Sequence, residues 1–174
     1  MNHTEQEHQI FLGIGSNIEP QRHVAKVVQQ IRDDYPRAEF SSLYQSPAVG
    51  FEGDDFLNLV VRISDHCALE HIFSYADRLE QAAGRMRVAR GNFDARSLDV
   101  DLLLFGDLHG HYAGHDLPDP DILCFAHVLA PLAELAPQRQ HPVLGTTLGE
   151  LWAGFAQDNV QLTRLGPVSE LACS

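Results

Sequence analysis

Residues 97–105, SLDVDLLLF, alternate with period two. Leu98, Val100, Leu102 and Leu104 fall on one side and Asp99 and Asp101 on the other, which predicts a strand with one face in a core. Same-side neighbours on a strand stand ~7 Å apart, so the two carboxylates are set side by side between buried aliphatic residues. Working outward, residues 56–63, FLNLVVRI, repeat the pattern. Leu57, Leu59, Val61 and Ile63 form an apolar face, while Phe56, Asn58, Val60 and Arg62 form the face that can carry function. Residues 9–15, QIFLGIG, make a short apolar run ended by glycines, suited to a central strand, and residues 38–46 read as a further strand.

Between these strands the apolar spacing changes to three and four. From Pro20, residues Val24, Val27, Val28, Ile31 and Tyr35 predict an amphipathic helix that stops before Pro36. Leu69, Ile72, Phe73, Ala76 and Leu79 predict a second helix, closed by Gly84 as a C-terminal cap. The order strand, helix, strand, strand, helix, strand predicts an α+β fold: a ferredoxin-like βαββαβ antiparallel sheet with helices on one face. A hairpin over 106–118 and a C-terminal helical extension, 127–136 and 146–156, complete it. No repeat, linker or low-complexity tract divides residues 1–174, which read as a single domain.

Twenty-four Asp and Glu against 12 Lys and Arg give a net charge of -12. A field of that sign repels nucleic acid and anionic membrane, so neither is expected as a partner. MNHTEQEHQI has no basic start or apolar stretch, and the apolar run from Ile122 to Ala133 is too short to span a bilayer. Cys67, Cys124 and Cys173 are odd in number and form no CxxC pair, as expected of reduced thiols. A cytoplasmic monomer is the expectation.

An anion must therefore be met locally. Arg85, Arg87, Arg90 and Arg96 precede the aspartate pair in a segment that also holds Gly91, Asn92 and Phe93. Arginine binds phosphate bidentately, and hard divalent ions such as Mg²⁺ take carboxylate oxygens together with phosphate oxygens. The combination suits polyphosphate plus metal. Surface ion pairs of these arginines with Asp94, Asp99 and Asp101 are the alternative. Gly13-Ile14-Gly15-Ser16-Asn17 lacks the third glycine of a dinucleotide loop, because Ile18 takes its place, and no GxxxxGK[ST] loop occurs. The glycines are expected to ease a tight strand-to-helix passage. His109, His111 and His115 match no zinc spacing and sit in a Gly-rich hairpin tip.

FLGIGSN, YQSPAVG, DFLNLVV, LEQAAGRMR and above all ARSLDVDLLLFGD, followed by APLAELAP, resemble in order the 6-hydroxymethyl-7,8-dihydropterin pyrophosphokinase family over about residues 9 to 137. The resemblance implies a ferredoxin-like fold that transfers the β,γ-diphosphate of ATP to the hydroxymethyl group of the pterin in folate biosynthesis, releasing AMP, with two Mg²⁺ ions. It implies that Asp99 and Asp101 hold the ions and that Arg85, Arg87 and Arg96 contact phosphates, with Arg85, Arg96 and the two aspartates as the catalytic set. Glu80 and Leu102 would sit by the nucleotide. Ser46, Pro47, Val49, Phe56 and Asn58 would form the pterin pocket, with Phe93 stacking where the family has a tryptophan.

The chain departs from the family pattern over 118–127. Asp119 replaces the histidine of a Pro-His-Pro, Phe125 replaces an arginine, and His127 replaces a phenylalanine that would cover the pterin. Titration of His127 near pH ~6.5 would make binding pH-dependent. Two functions stay open at this level: the diphosphokinase reaction, or a catalytically weakened or altered-substrate paralogue that binds a pterin or nucleotide as a regulatory module.

Overall fold

Strand β1 (His8–Ser16) lies between two antiparallel partners, β4 (Phe56–Asp65) and β5 (Asp99–Phe105). The computed structural model, which describes residues 7–50, 52–84, 98–155 and 160–171, orders the sheet β5-β1-β4-β3-β8, with β3 at Ser42–Ser46 and β8 at Thr163–Pro167. Without β8, this is the fourth, first, third and second strand of a βαββαβ unit, the ferredoxin-like order. Helices α1 (Pro20–Asp34) and α2 (Leu69–Ala82) make the two crossovers.

Both faces of the sheet are packed. On one, Ile10, Leu12 and Ile14 of β1 and Leu57, Leu59, Val61 and Ile63 of β4 meet Val24, Val27, Val28 and Ile31 of α1 and Ile72 and Leu79 of α2. Removing this apolar area from water is the main drive holding the helices to the sheet. The C-terminal extension covers the other face: Phe11, Val60, Leu103 and Leu104 meet Ile122 of α3 (Asp121–Cys124), Leu129 and Leu132 of α4 (Ala126–Leu135), and Leu148 of α5 (Leu148–Ala153). The predicted hairpin is present as β6 (Gly110–Tyr112) and β7 (His115–Leu117). No helix among the described residues is long and apolar enough to cross a membrane.

Two readings of the sequence are corrected and one strand is added. Residues 38–46 form two strands, β2 (Glu39–Phe40) and β3, because Ser41 turns its side chain to the sheet: its Oγ accepts the Val60 N–H at 2.9 Å while its own N–H donates to the Val60 carbonyl at 2.9 Å. Leu104 leaves the helix-side face. The register shifts where Phe11 and Leu12 oppose Leu104 and Leu102, so Leu103 and Leu104 both pack toward α4 and Phe105 returns to the helix side. Strand β8 has no signal in the sequence, because TRLGP lacks apolar alternation; pairing with β3 places it.

Candidate active site

The site starts from parity. On β1, Gly13 and Gly15 alternate with Leu12 and Ile14 of the helix-side core, so the glycines occupy the face opposite α1 and α2. Register then puts Gly15 between Asp99 of β5 and Asn58 of β4, and Gly13 between Asp101 and Val60. Neither glycine has a positive φ. Their expected part in a tight strand-to-helix passage is thus replaced by another: the left-handed residue at that passage is Glu19, and the glycines leave the middle of the sheet without side chains. A cavity of about 190 Å³ stands on this floor.

Asn58 is buried and oriented. Its amide nitrogen donates to Ser46 Oγ at 2.9 Å and lies 3.5 Å from the carbonyls of Tyr44 and Phe56. Those carbonyls accept only, so the amino group faces β3 and Oδ1 is left over the floor, 3.2 Å from where a Cβ on Gly15 would stand. That end of the cavity presents a hydrogen-bond acceptor among Ser46, Pro47, Val49 and Phe56. The residues assigned to the pterin pocket by resemblance are thereby brought together.

The other end is acidic. Asp99, Asp101, Asp119 and Asp121 line the cavity, and no Lys or Arg does so among the described residues. Asp119 is positioned by its N–H, which donates to the Leu103 carbonyl at 3.0 Å, and by its Oδ1, which accepts the Asp121 N–H at 2.8 Å. Burial pushes its carboxyl up from 3.8 to about 6 despite the Asp121 N–H, with Asp121 and Asp116 adding to the rise and His115 opposing it. Periodicity could not find Asp119 and Asp121, because they follow a proline-rich turn; Asp119 is marked only by its departure from the family's Pro-His-Pro, and Asp121 only by the alternating Pro-Asp sequence.

Phe125 and His127 close one wall, with rings stacked at 5.3 Å. Burial holds the His127 imidazole below its ordinary range, only partly offset by Asp121. The expectation of titration near pH ~6.5 is corrected accordingly: desolvation moves it to lower pH.

Glu80 and Leu102 are not brought to the cavity. Leu102 packs in the helix-side core, and the Glu80 carboxylate is buried, accepting the Val100 N–H at 2.9 Å. Arg85, Arg87, Arg90, Phe93 and Arg96 lie outside the described residues. The hairpin histidines have separate surroundings: His111 Nδ1 is 2.7 Å from Asp116, and the His115 ring stacks on Phe73 at 4.7 Å. No group of three His, Cys, Asp or Glu side chains among the described residues is placed to hold a metal unaided. Asp99 and Asp101 nevertheless fit Mg²⁺ as hard oxygen donors if water and phosphate oxygens complete the shell.

The model of the family described as 7,8-dihydro-6-hydroxymethylpterin-pyrophosphokinase (HPPK) matches residues 11–137. The chain belongs to the HPPK family. That span includes every residue that lines the cavity. Among curated HPPK relatives, the 2-amino-4-hydroxy-6-hydroxymethyldihydropteridine pyrophosphokinase of Synechocystis is 29% identical over 170 residues, covering 95% of this chain and 83% of that enzyme. The enzyme of the same name from Aquifex aeolicus is 26% identical over 143 residues, 81% of this chain and 88% of its own. The fold is similar to that of Plasmodium falciparum HPPK-DHPS crystallised with pteroate, with a TM-score of 0.64 at 12% identity. That alignment covers 94% of this chain and 47% of the Plasmodium chain, so the chain spans about half the length of that structure.

Proposed function

We propose that the cavity transfers the β,γ-diphosphate of ATP to the hydroxymethyl oxygen of 6-hydroxymethyl-7,8-dihydropterin, releasing AMP. The observation that carries this reading is the row Asp99, Gly15, Asn58, which sets carboxylates and a ring-reading amide at two ends of one cavity. Asn58 Oδ1 accepts from the donor edge of the pterin. Val49, Phe56 and His127 enclose its ring and exclude water. Diphosphoryl transfer asks mainly for positioning and charge neutralisation, which a rigid row on a sheet supplies.

Four aspartates would repel a polyphosphate, so ATP enters with cations. Asp99 and Asp101 would hold two Mg²⁺ ions, which supply charge neutralisation at the phosphates. Arg85, Arg87 and Arg96 would add phosphate contacts, and Phe93 would stack on the pterin. The chain then acts as one domain and as a cytoplasmic monomer, with pterin and ATP as its partners and no nucleic acid or membrane.

AMP release from ATP with Mg²⁺ and hydroxymethyldihydropterin tests the reading. A second reading, a weakened or altered-substrate paralogue, is favoured by Asp119, Phe125 and His127 in the lining. It predicts pterin or nucleotide binding without AMP, whereas rapid AMP release eliminates it.

A further inference from the structure

The carboxylate of Glu134, in the last turn of α4, collects donors from two strands. Its Oε1 accepts from the Ser42 N–H at 2.9 Å and the Ser42 hydroxyl at 2.8 Å; its Oε2 accepts from the Tyr44 hydroxyl at 2.5 Å and Arg164 Nε at 3.2 Å. Ser42 and Tyr44 are buried in β3, and Arg164 stands on β8. One side chain therefore ties α4, β3 and β8 together. Against a burial that alone would raise it, these hydrogen bonds hold the carboxyl down at about 2, so it is ionised at neutral pH.

The elements α4 and β3 each carry part of the pterin end of the cavity. The first turn of helix α4 carries His127 and Val128, about two turns before Glu134. Strand β3 ends at Ser46, whose Oγ receives the Asn58 amide. A relative movement of α4 and β3 would change both the wall and the orientation of Asn58 Oδ1. Strand β8 supplies none of the cavity lining and lies beyond the residues that the family model matches.

We propose that Glu134 is a positioning residue for the pterin end of the site, and that Arg164 brings the C-terminal strand into that task by anchoring the same carboxylate. The substrate named here rests on the diphosphokinase reading; the coupling of α4 to β3 does not. Glutamine keeps the size of Glu134 but offers one acceptor oxygen and an amino group that faces donors, so it cannot serve all three partners.

The test compares the parent with Glu134→Gln, Arg164→Ala and the double variant. Dissociation constants are measured for hydroxymethyldihydropterin and, separately, for ATP with Mg²⁺. Glu134→Gln should weaken pterin binding about tenfold, the scale of one lost charge-assisted hydrogen bond, and change ATP binding by less than about twofold. Arg164→Ala, at an exposed ion pair, should weaken pterin binding about two- to threefold in the parent and not at all in the Glu134→Gln background. Generic destabilisation would add in the double variant. Equal losses for both ligands, or an undiminished Arg164→Ala effect beside Glu134→Gln, would overturn the proposal.

Amide hydrogen exchange of the ligand-free protein supplies the arm that needs no substrate: Glu134→Gln should raise exchange in both β3 and the first turn of α4. Unchanged protection in either element would overturn the positioning role even if the parent released AMP. A parent that released none would sink the diphosphokinase reading instead. Should Glu134→Gln fail to fold, Tyr44→Phe and Arg164→Ala carry the same comparison of the two ligands, and equal losses again decide against it.

Discussion

Asp99 and Asn58 occupy one cross-strand row of the sheet, with Gly15 of β1 between them. Strand spacing puts the two about 10 Å apart, and the glycine leaves that distance open instead of filled by a side chain. On the proposed reading, the two ends of a bimolecular transfer are thereby held on one rigid surface.

The row makes Gly15 a sensitive position. A Cβ there would stand 3.2 Å from Asn58 Oδ1, and the three acceptors around its amide nitrogen leave Asn58 little room to yield. Gly15→Ala should weaken pterin binding about tenfold or more and lower the melting temperature modestly, because the strain of crowding an Asn58 that cannot yield outweighs the restriction of the unfolded chain. Gly13→Ala, whose Cβ would meet the Leu103 side chain at 3.3 Å, should affect pterin binding less. Calorimetric titration beside a thermal melt separates the two variants, and equal binding losses would place the pterin elsewhere on the floor.

Asp99→Asn and Asp101→Asn should each lower Mg²⁺-dependent AMP release by about two orders of magnitude or more, because neutral amides are poor ligands for a hard cation. Both side chains lie on the cavity side of β5, so thermal stability should change little. Full activity in both variants would remove the carboxylates from the reaction.

Asp119 gives a pH signature in the unliganded protein. Its folded carboxyl titrates at about 6 against an ordinary 3.8, so folding takes up a proton between those values. The group therefore costs stability as pH rises through that window, and the cost is complete above about pH 6. Asp119→Asn should raise stability at pH ~7 by at most about 3 kcal/mol, with the gain vanishing below pH ~4. Denaturant melts of parent and variant at about pH 3.5, 5 and 7 check it; a pH-independent difference would mean that Asp119 is not desolvated.

The half-buried imidazole of His127 makes the opposite statement. Desolvation moves its titration below the ordinary imidazole range, so any pH step in pterin binding that His127→Phe removes should fall below pH ~6.5. A step removed at or above that pH would show that the imidazole is not desolvated.

At the break between β2 and β3, Ser41→Ala removes the hydroxyl that accepts the buried Val60 N–H. The expected loss is about 1–3 kcal/mol, with ligand affinities unchanged at temperatures where the variant stays folded. A melt within error of the parent would show that the strand re-pairs around the gap.

Local periodicity determined the order of the βαββαβ core, the face each side chain takes on β4, and the pairing of Asp99 with Asp101, because side-chain parity follows from backbone geometry alone. Parity fails at Leu104, where one extra residue in β5 reverses the faces, since a bulge is chosen by the partner strand. The same limit applies to the glycines. Nothing within GIGSN reveals that Gly15 lies between Asp99 and Asn58; only strand pairing across the sheet decides it. Tertiary packing alone also brings Asp119 into the cavity, desolvates His127 enough to lower its titration, and carries Arg164 from β8 to Glu134. Those relations join segments far apart in the chain, and their strength depends on desolvation and register, neither of which exists until the layers have packed.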